Sequence, residues 1–432
     1  MVDKLDFNLK KRVIPCLETQ RSPHQATQAK PKEITSLVTV WHTKMKCSMW
    51  LKQCKRHLEQ NSFQNLIWLL NLLPSLLGSP LLTVKFNYVF WTIHSSLLFY
   101  INIVGITVYQ KYTAKGFVDF INSLFNIFGV TLITVNSWWI LKKRNAFNDL
   151  LGVVKKNDDL IIETGSCSEI HKRMLRSIKI ILIMCYVFHF INEIMIFLPF
   201  RVFRMDDFSM ASCVGLEQLG ISRNREVCMG ILTVSIFTAV TVICSYDLSL
   251  LFLFSHTTAV FQILFEEMMS INDSTQSCQN SDEDYAVIVA RLKNVIVRHV
   301  LALQTVEKVE DIFSISIGIC ISLDTISLCL FFVLPLDSCM HFTPMICHSL
   351  FIFFLYCCQG QRLTTASEKF EMAVYCCGWE NLRVKERKQV LLMLKKAQKP
   401  VIVYAARVIP IRLSTFATAM QSIYKFVTVF KV

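Results

Sequence analysis

His189 and Glu193 stand four residues apart in the apolar run Ile180–Phe200, with Asn192 between them. That spacing puts the imidazole and the carboxylate on one helix face, where together they could hydrogen-bond a small polar molecule. Asp247 and Asp324 stand alone in two further apolar runs. Ionisable side chains in such runs are costly in a bilayer, so each either serves a function or pairs with a neighbouring helix. Pairing is the main reading for Asp247 and Asp324. For His189 and Glu193, pairing and ligand binding stand level. Aromatic and sulfur side chains gather at the same depth, among them Phe120, Phe125, Met229, Phe237, Met345 and Phe351. An apolar cavity with a few polar groups is the composition of a small-molecule site. The candidate ligand contacts are Phe120, His189, Glu193, Met229, Met345 and His348.

A second pattern lies at the C-terminus. Ser414, Thr418, Gln421, Lys425 and Thr428 recur at spacings of 4, 3, 4 and 3, while Phe416, Met420, Ile423, Phe426 and Phe430 fill the rest of the run. One polar stripe on an apolar helix turns toward protein or water. Copies of it around an axis would line an aqueous pore, with Ser422 and Val429 one position round and flanking it; alternatively the stripe is buried against neighbouring helices. No GxGxxG, Walker loop, HExxH, GxSxG or C-x-x-C occurs, and the adjacent pairs Cys357-Cys358 and Cys376-Cys377 do not suit tetrahedral zinc. No catalytic residue, cofactor or metal site is expected.

The elements that position these residues follow from composition. Of 432 residues 53% are hydrophobic and only 18% charged, against roughly 25% charged in soluble domains. That excludes a disordered chain and a small disulfide scaffold. Spans of about 20 apolar residues are predicted at 86–108, 117–140, 180–200, 228–254, 312–334 and, at its shortest, 342–358. A seventh run ends the chain. The run Phe63–Leu82 is apolar too, but Pro74 and Pro80 interrupt it, and it is read as an interfacial or re-entrant segment. With seven spans, 34 of the 45 Lys and Arg fall on the side of the N-terminus and 7 on the other. The bias puts the N-terminus in the cytoplasm and the C-terminus outside, the reverse of a G-protein-coupled receptor. Basic residues flank apolar runs and join no nucleic-acid motif, so the +13 net charge points to the lipid bilayer and not to nucleic acid. Residues 1–9 hold Asp3 and Asp6 and no apolar core, so no cleavable signal peptide is expected. Cys213, Cys228 and Cys339 fall on the outer side, and pairing among them stays open.

The expected organisation is an all-α membrane protein. Residues 1–85 form a cytoplasmic arm, 86–358 six spans, 359–406 a cytoplasmic segment with a basic amphipathic stretch from Glu380 to Pro400, and 407–432 the seventh helix.

Residues 357–430 resemble the insect odorant receptor family. The resemblance rests on Cys358, Gly360, Ser367-Glu368, Trp379, Gln398-Lys399-Pro400 and the helix around Phe416 and Tyr424. Weaker similarity surrounds His256, His299 and Pro74. The resemblance implies seven helices, a cytoplasmic N-terminus and a tetrameric ligand-gated cation channel in the plasma membrane of a sensory dendrite. A tuning subunit would assemble with a shared co-receptor; the stretch 255–310 is too short for the co-receptor's insertion, so this chain is read as a tuning subunit. A volatile odorant would bind in the outer half of the bundle among the second, third, fourth and sixth helices. The last helix would line the pore through Thr418, Gln421, Ser422, Lys425 and Val429, with a constriction near Val429. Subunits would meet in the cytoplasmic segment, at Trp379, Leu391 and Leu394. Lys425 departs from what a cation path favours. A gustatory-type channel working without the co-receptor is the alternative.

Overall fold

The computed structural model describes residues 54–77, 87–105, 107, 116–164, 168–202, 223–277, 282–332, 334 and 336–430. Cys213 and the end of the Phe63–Leu82 run lie outside them. The chain divides into a unit of residues 1–60 and a unit of residues 61–432. In the first, residues 54–59 are helical and Lys55 meets Glu59 at 3.8 Å.

The second unit opens with α1 (Phe63–Leu70), which starts where Ser62 turns extended and its hydroxyl accepts the Asn65 N–H at 3.3 Å. Asn71 breaks the run, and α2 (Leu72–Leu76) follows with Pro74 in its first turn, where no amide is missed. Phe63, Leu66, Leu69, Leu70 and Leu73 are buried in the protein core. Helix α3 (Tyr88–Leu98) is capped by Asn87 and widens into a π-helical stretch, Phe99–Gly105. Five long helices follow: α4 (Phe117–Thr164), α5 (Ser168–Val202), α6 (Arg223–Ser277), α7 (Asp282–Phe331) and α8 (Leu336–Tyr375). The short α9 (Val384–Ala397) and α10 (Leu413–Phe430) complete the chain. Among the described residues six helices are long and apolar enough to cross a membrane, and α10 is a further helix of 18 residues.

The charged segments 142–179 and 255–310, which lie between the expected spans, are helical wherever they are described. Helix α6 has 55 residues, roughly 80 Å at 1.5 Å per residue, against a hydrocarbon core of about 30 Å. The surplus continues past the spans as a second helical layer. Its packing explains it: Phe147, Leu150, Leu151, Val154 and Ile161 are buried at helical spacing on α4. Helix α6 is the axis of both layers, and every residue from Cys244 to Phe261 is buried, as a helix enclosed by others must be. A smaller outer cluster joins Ile121 and Phe125 of α4, Leu328 of α7, Phe342 and Ile346 of α8, and Ile423 of α10.

Between α9 and α10 the chain makes a small antiparallel ladder, Tyr404–Ala405 against Ile409–Pro410. Its turn holds Ala406 and Arg407 at φ 49° and 60°, a left-handed pair that twists two strands together tightly. Two helical glycines admit it. A Cβ on Gly318 would lie 2.6 Å from Ala406 Cβ, and one on Gly360 would lie 2.1 Å from the Ile411 carbonyl oxygen. Ser314 accepts the Ala406 N–H on its carbonyl and the Arg407 N–H on its hydroxyl, at 2.7 and 2.8 Å. Ser367 Oγ accepts the Val401 N–H at 3.0 Å. The segment leading into α10 is thus clamped to α7 and α8.

Candidate functional site

Helix α5 turns one face inward through Leu175, Ile178, Leu182, Cys185, Tyr186 and His189, all buried at helical spacing. The same face carries His189 to α6 and α8. Its Nε2 lies 3.1 Å from Asp247 Oδ2, and its Nδ1 lies 3.3 Å from His348 Nε2. The Tyr356 hydroxyl donates to Asp247 Oδ1, one oxygen of a carboxylate buried on the central helix. Apolar rings surround the group. Phe188 packs on Phe351 with centroids 3.9 Å apart and stacks on His348 at 6.0 Å. Asp324, also buried, takes a hydrogen bond from Ser349.

Of the expected ligand contacts, His189 and His348 touch. Met345 is half-buried one turn before His348 and faces Gly129 of α4. Glu193 and Met229 are half-buried. Phe120 is 53% exposed, while Phe125, five residues on, is fully buried and stacks on Phe342 at 4.4 Å. The register of α4 therefore turns Phe125 inward and Phe120 outward. Asp247 was visible as a lone charge in an apolar run, but nothing in its neighbourhood named His189 as its partner. Tyr356 carries no sequence signal, since a tyrosine near a span end is commonplace.

On α10 the polar stripe faces away from the chain's own bundle. Ser414, Thr418, Gln421, Ser422, Lys425, Thr428 and Val429 are exposed, whereas Ile423 is buried and Phe416, Met420 and Val427 pack on the two core clusters. The hydroxyls of Thr418 and Ser422 satisfy themselves by donating to carbonyls four residues earlier. The reading that the stripe is buried against neighbouring helices of this chain is thereby set aside.

The second helical layer has its own polar groups. Asp158 of α4 accepts from His171 Nε2 at 2.7 Å and lies 3.5 Å from His256 Nε2. It sits about 27 Å past the expected end of the second span. Burial alone would raise this carboxyl, but the hydrogen bonds and charge of the two histidines hold it down at about 2. Arg298 of α7, fully buried, brings Nη1 within 2.6 Å of both Glu267 oxygens. Burial lowers the His299 imidazole to about 4. Helix α9 docks through Tyr285, whose hydroxyl reaches Glu386 Oε2 at 3.1 Å and accepts the Arg383 N–H at 2.9 Å. Trp379 is 41% exposed and Leu391 projects outward, while Leu394 packs on the chain's own core. The inward face of α9 is Val390, Met393 and Ala397. Cys228, at the start of α6, is disulfide-bonded, whereas Cys376 and Cys377 are free.

Residues 116–424 match the profile of the 7tm Odorant receptor family. Odorant receptor 2a of Drosophila melanogaster is 33% identical over 75 residues, 17% of this chain and 19% of that receptor. Putative odorant receptor 85d of the same organism is 36% identical over 73 residues, 17% of this chain and 18% of that one. The alignments span less than a fifth of the length of the curated relatives. The fold matches olfactory receptor OR5 of Machilis hrabei in complex with eugenol, with TM-score 0.66, 14% identity, and coverage of 85% of this chain and 96% of that one.

Proposed function

Since the chain belongs to the odorant receptor family, we propose that it is the odorant-binding subunit of a cation channel, assembled with a co-receptor subunit of the same fold. The observation that carries the ligand site is the contact of His189, Asp247 and His348 among aromatic rings. Polar atoms of this kind orient a ligand, while the surrounding apolar surface supplies most of its binding free energy. The related OR5 binds eugenol, a small aromatic with one hydroxyl. A ligand of that class would set its ring against Phe188 and Phe351 and its oxygen toward His348. Glu193 and Met345 would border the same space.

The orientation follows the charge bias of 34 against 7. The disulfide at Cys228 supports it, since that end of α6 then faces the oxidising side. The exposed stripe of α10 is the surface available to water around an oligomer axis. The family match favours the odorant reading over the gustatory-type one.

The test is a concentration–response series in cells expressing the chain with the co-receptor. His189→Ala and Met345→Ala should each raise the half-maximal odorant concentration by about tenfold, the loss of one good contact. Current elicited by a synthetic agonist of the co-receptor should persist. Joint loss of both responses would make these residues structural and remove the ligand site.

A further inference from the structure

We propose that His189, Asp247 and His348 form a binding site for a divalent transition-metal ion of the zinc class. One nitrogen from each imidazole and one carboxylate oxygen all lie within 4.8 Å of one another. They come from three helices, α5, α6 and α8, so the convergence is tertiary and not a local motif. Two imidazoles and a carboxylate are a zinc donor set that leaves the fourth position to water or an added ligand. They suit zinc, nickel or copper better than magnesium or calcium, which prefer oxygen alone.

Donors on a tetrahedral ion with bonds of about 2.0–2.1 Å lie roughly 3.4 Å apart. The contact of 3.1 Å between His189 Nε2 and Asp247 Oδ2 already has that scale, whereas His348 Nε2 lies 3.3 Å from the other ring nitrogen of His189, Nδ1, which cannot bind the same ion. The His348 donor, within 4.8 Å of the other two, must close that gap for one ion to be shared.

A second observation points the same way. His189 and Asp247 are only 2% and 4% exposed, yet His189 Nε2 and Asp247 Oδ2 make no hydrogen bond of acceptable geometry. The two atoms lie 3.1 Å apart but are poorly aligned for a hydrogen bond; buried polar atoms without a good hydrogen bond are uncommon in native proteins, and one cation would satisfy both. The Tyr356 hydroxyl fixes the other carboxylate oxygen, and Phe188 stacks on His348, the kind of outer support that orients metal ligands. The 180–200, 228–254 and 342–358 spans hold no Lys or Arg, so no basic side chain within them competes for the carboxylate. His348 is partly buried.

The proposal stands apart from the odorant reading, because metal retention is measured without channel current. Purified full-length protein, freed of any histidine tag, is dialysed against Zn(II) and its metal content measured. Co(II) then replaces Zn(II) for absorption spectroscopy. The wild type should hold roughly one ion per chain and show tetrahedral cobalt bands. His189→Gln and His348→Gln should each weaken binding by about tenfold or more, and Asp149→Asn, at an exposed position of α4, should not. Asp247→Asn should behave like the histidine variants if it folds; if it does not, they decide. No stoichiometric zinc in the wild type, or unchanged zinc in both histidine variants, would overturn the site.

Discussion

Arg298 and Glu267 illustrate what a buried pair implies at the scale of single residues. Arg298 Nη1 serves both carboxylate oxygens, while its Nε and Nη2 make no hydrogen bond. Removing one partner leaves an uncompensated charge in the interior, so Glu267→Gln should destabilise by about 3–5 kcal/mol. The double variant Arg298→Met with Glu267→Met should lose far less. Thermal melts of the detergent-solubilised protein measure this, and additive losses would show that the pair does not act as a unit. His299 sets a pH dependence. Its folded imidazole titrates at about 4 against 6.5 unfolded, so between those values the unfolded chain binds a proton that the native chain does not. Stability is then complete above pH 6.5 and falls as pH drops toward 4, by up to about 3 kcal/mol. His299→Phe, between Phe261 and Phe370, should flatten that limb of a melting-temperature profile; an unchanged limb would assign it to another group. Asp158 adds a separate loss below pH 3.8, down to about 2. At this scale the sequence was partly legible. His189 and His348 stood out as polar groups in apolar runs, but an apolar run does not reveal which face of a helix turns inward, as exposed Phe120 and buried Phe125 show.

Among the elements, α10 was the most legible and the helical extensions past the spans the least. The 4, 3, 4, 3 spacing on α10 needs no tertiary knowledge, since helical geometry alone puts those side chains on one face. The extensions of α4 to α8 are rich in charge, and charge hides their buried stripe from any count of apolar residues. Gly360 shows a different limit: its place in the resemblance was plain, but its reason, the Ile411 carbonyl against the bare Cα, exists only in three dimensions. The exposed stripe makes a prediction about labelling. Cysteine at Thr418, Gln421, Lys425 or Val429 should react with water-soluble thiol reagents in the open channel, and cysteine at Phe416 or Ile423 should not. Reaction at the apolar set would rotate the helix away from the axis. Lys425→Gln should raise cation conductance with the odorant midpoint nearly unchanged. A unit charge several Å from a cation costs about 1 kcal/mol in a wet vestibule, and several-fold more in a dry ring.

For the whole molecule, the account joins three surfaces in one chain. His189 and His348 meet inside the bundle, the polar stripe of α10 is exposed, and Tyr375, Trp379, Val384, Leu391 and Leu392 are exposed in the second layer. The last group is apolar surface of the kind that marks a protein contact, and the segment 401–411 ties that layer to α10 through Gly318 and Gly360. On the proposed function these would be the ligand site, the water path and the subunit contact of an odorant-gated channel subunit. Whole-cell recording tests that claim most directly, in cells given this chain alone, the co-receptor alone, or both, and exposed to a panel of small volatiles. Odorant-evoked cation current should appear only when both are present. Odorant current from this chain alone would contradict the heteromeric assignment, and no odorant current with normal surface delivery of both would contradict the receptor reading itself.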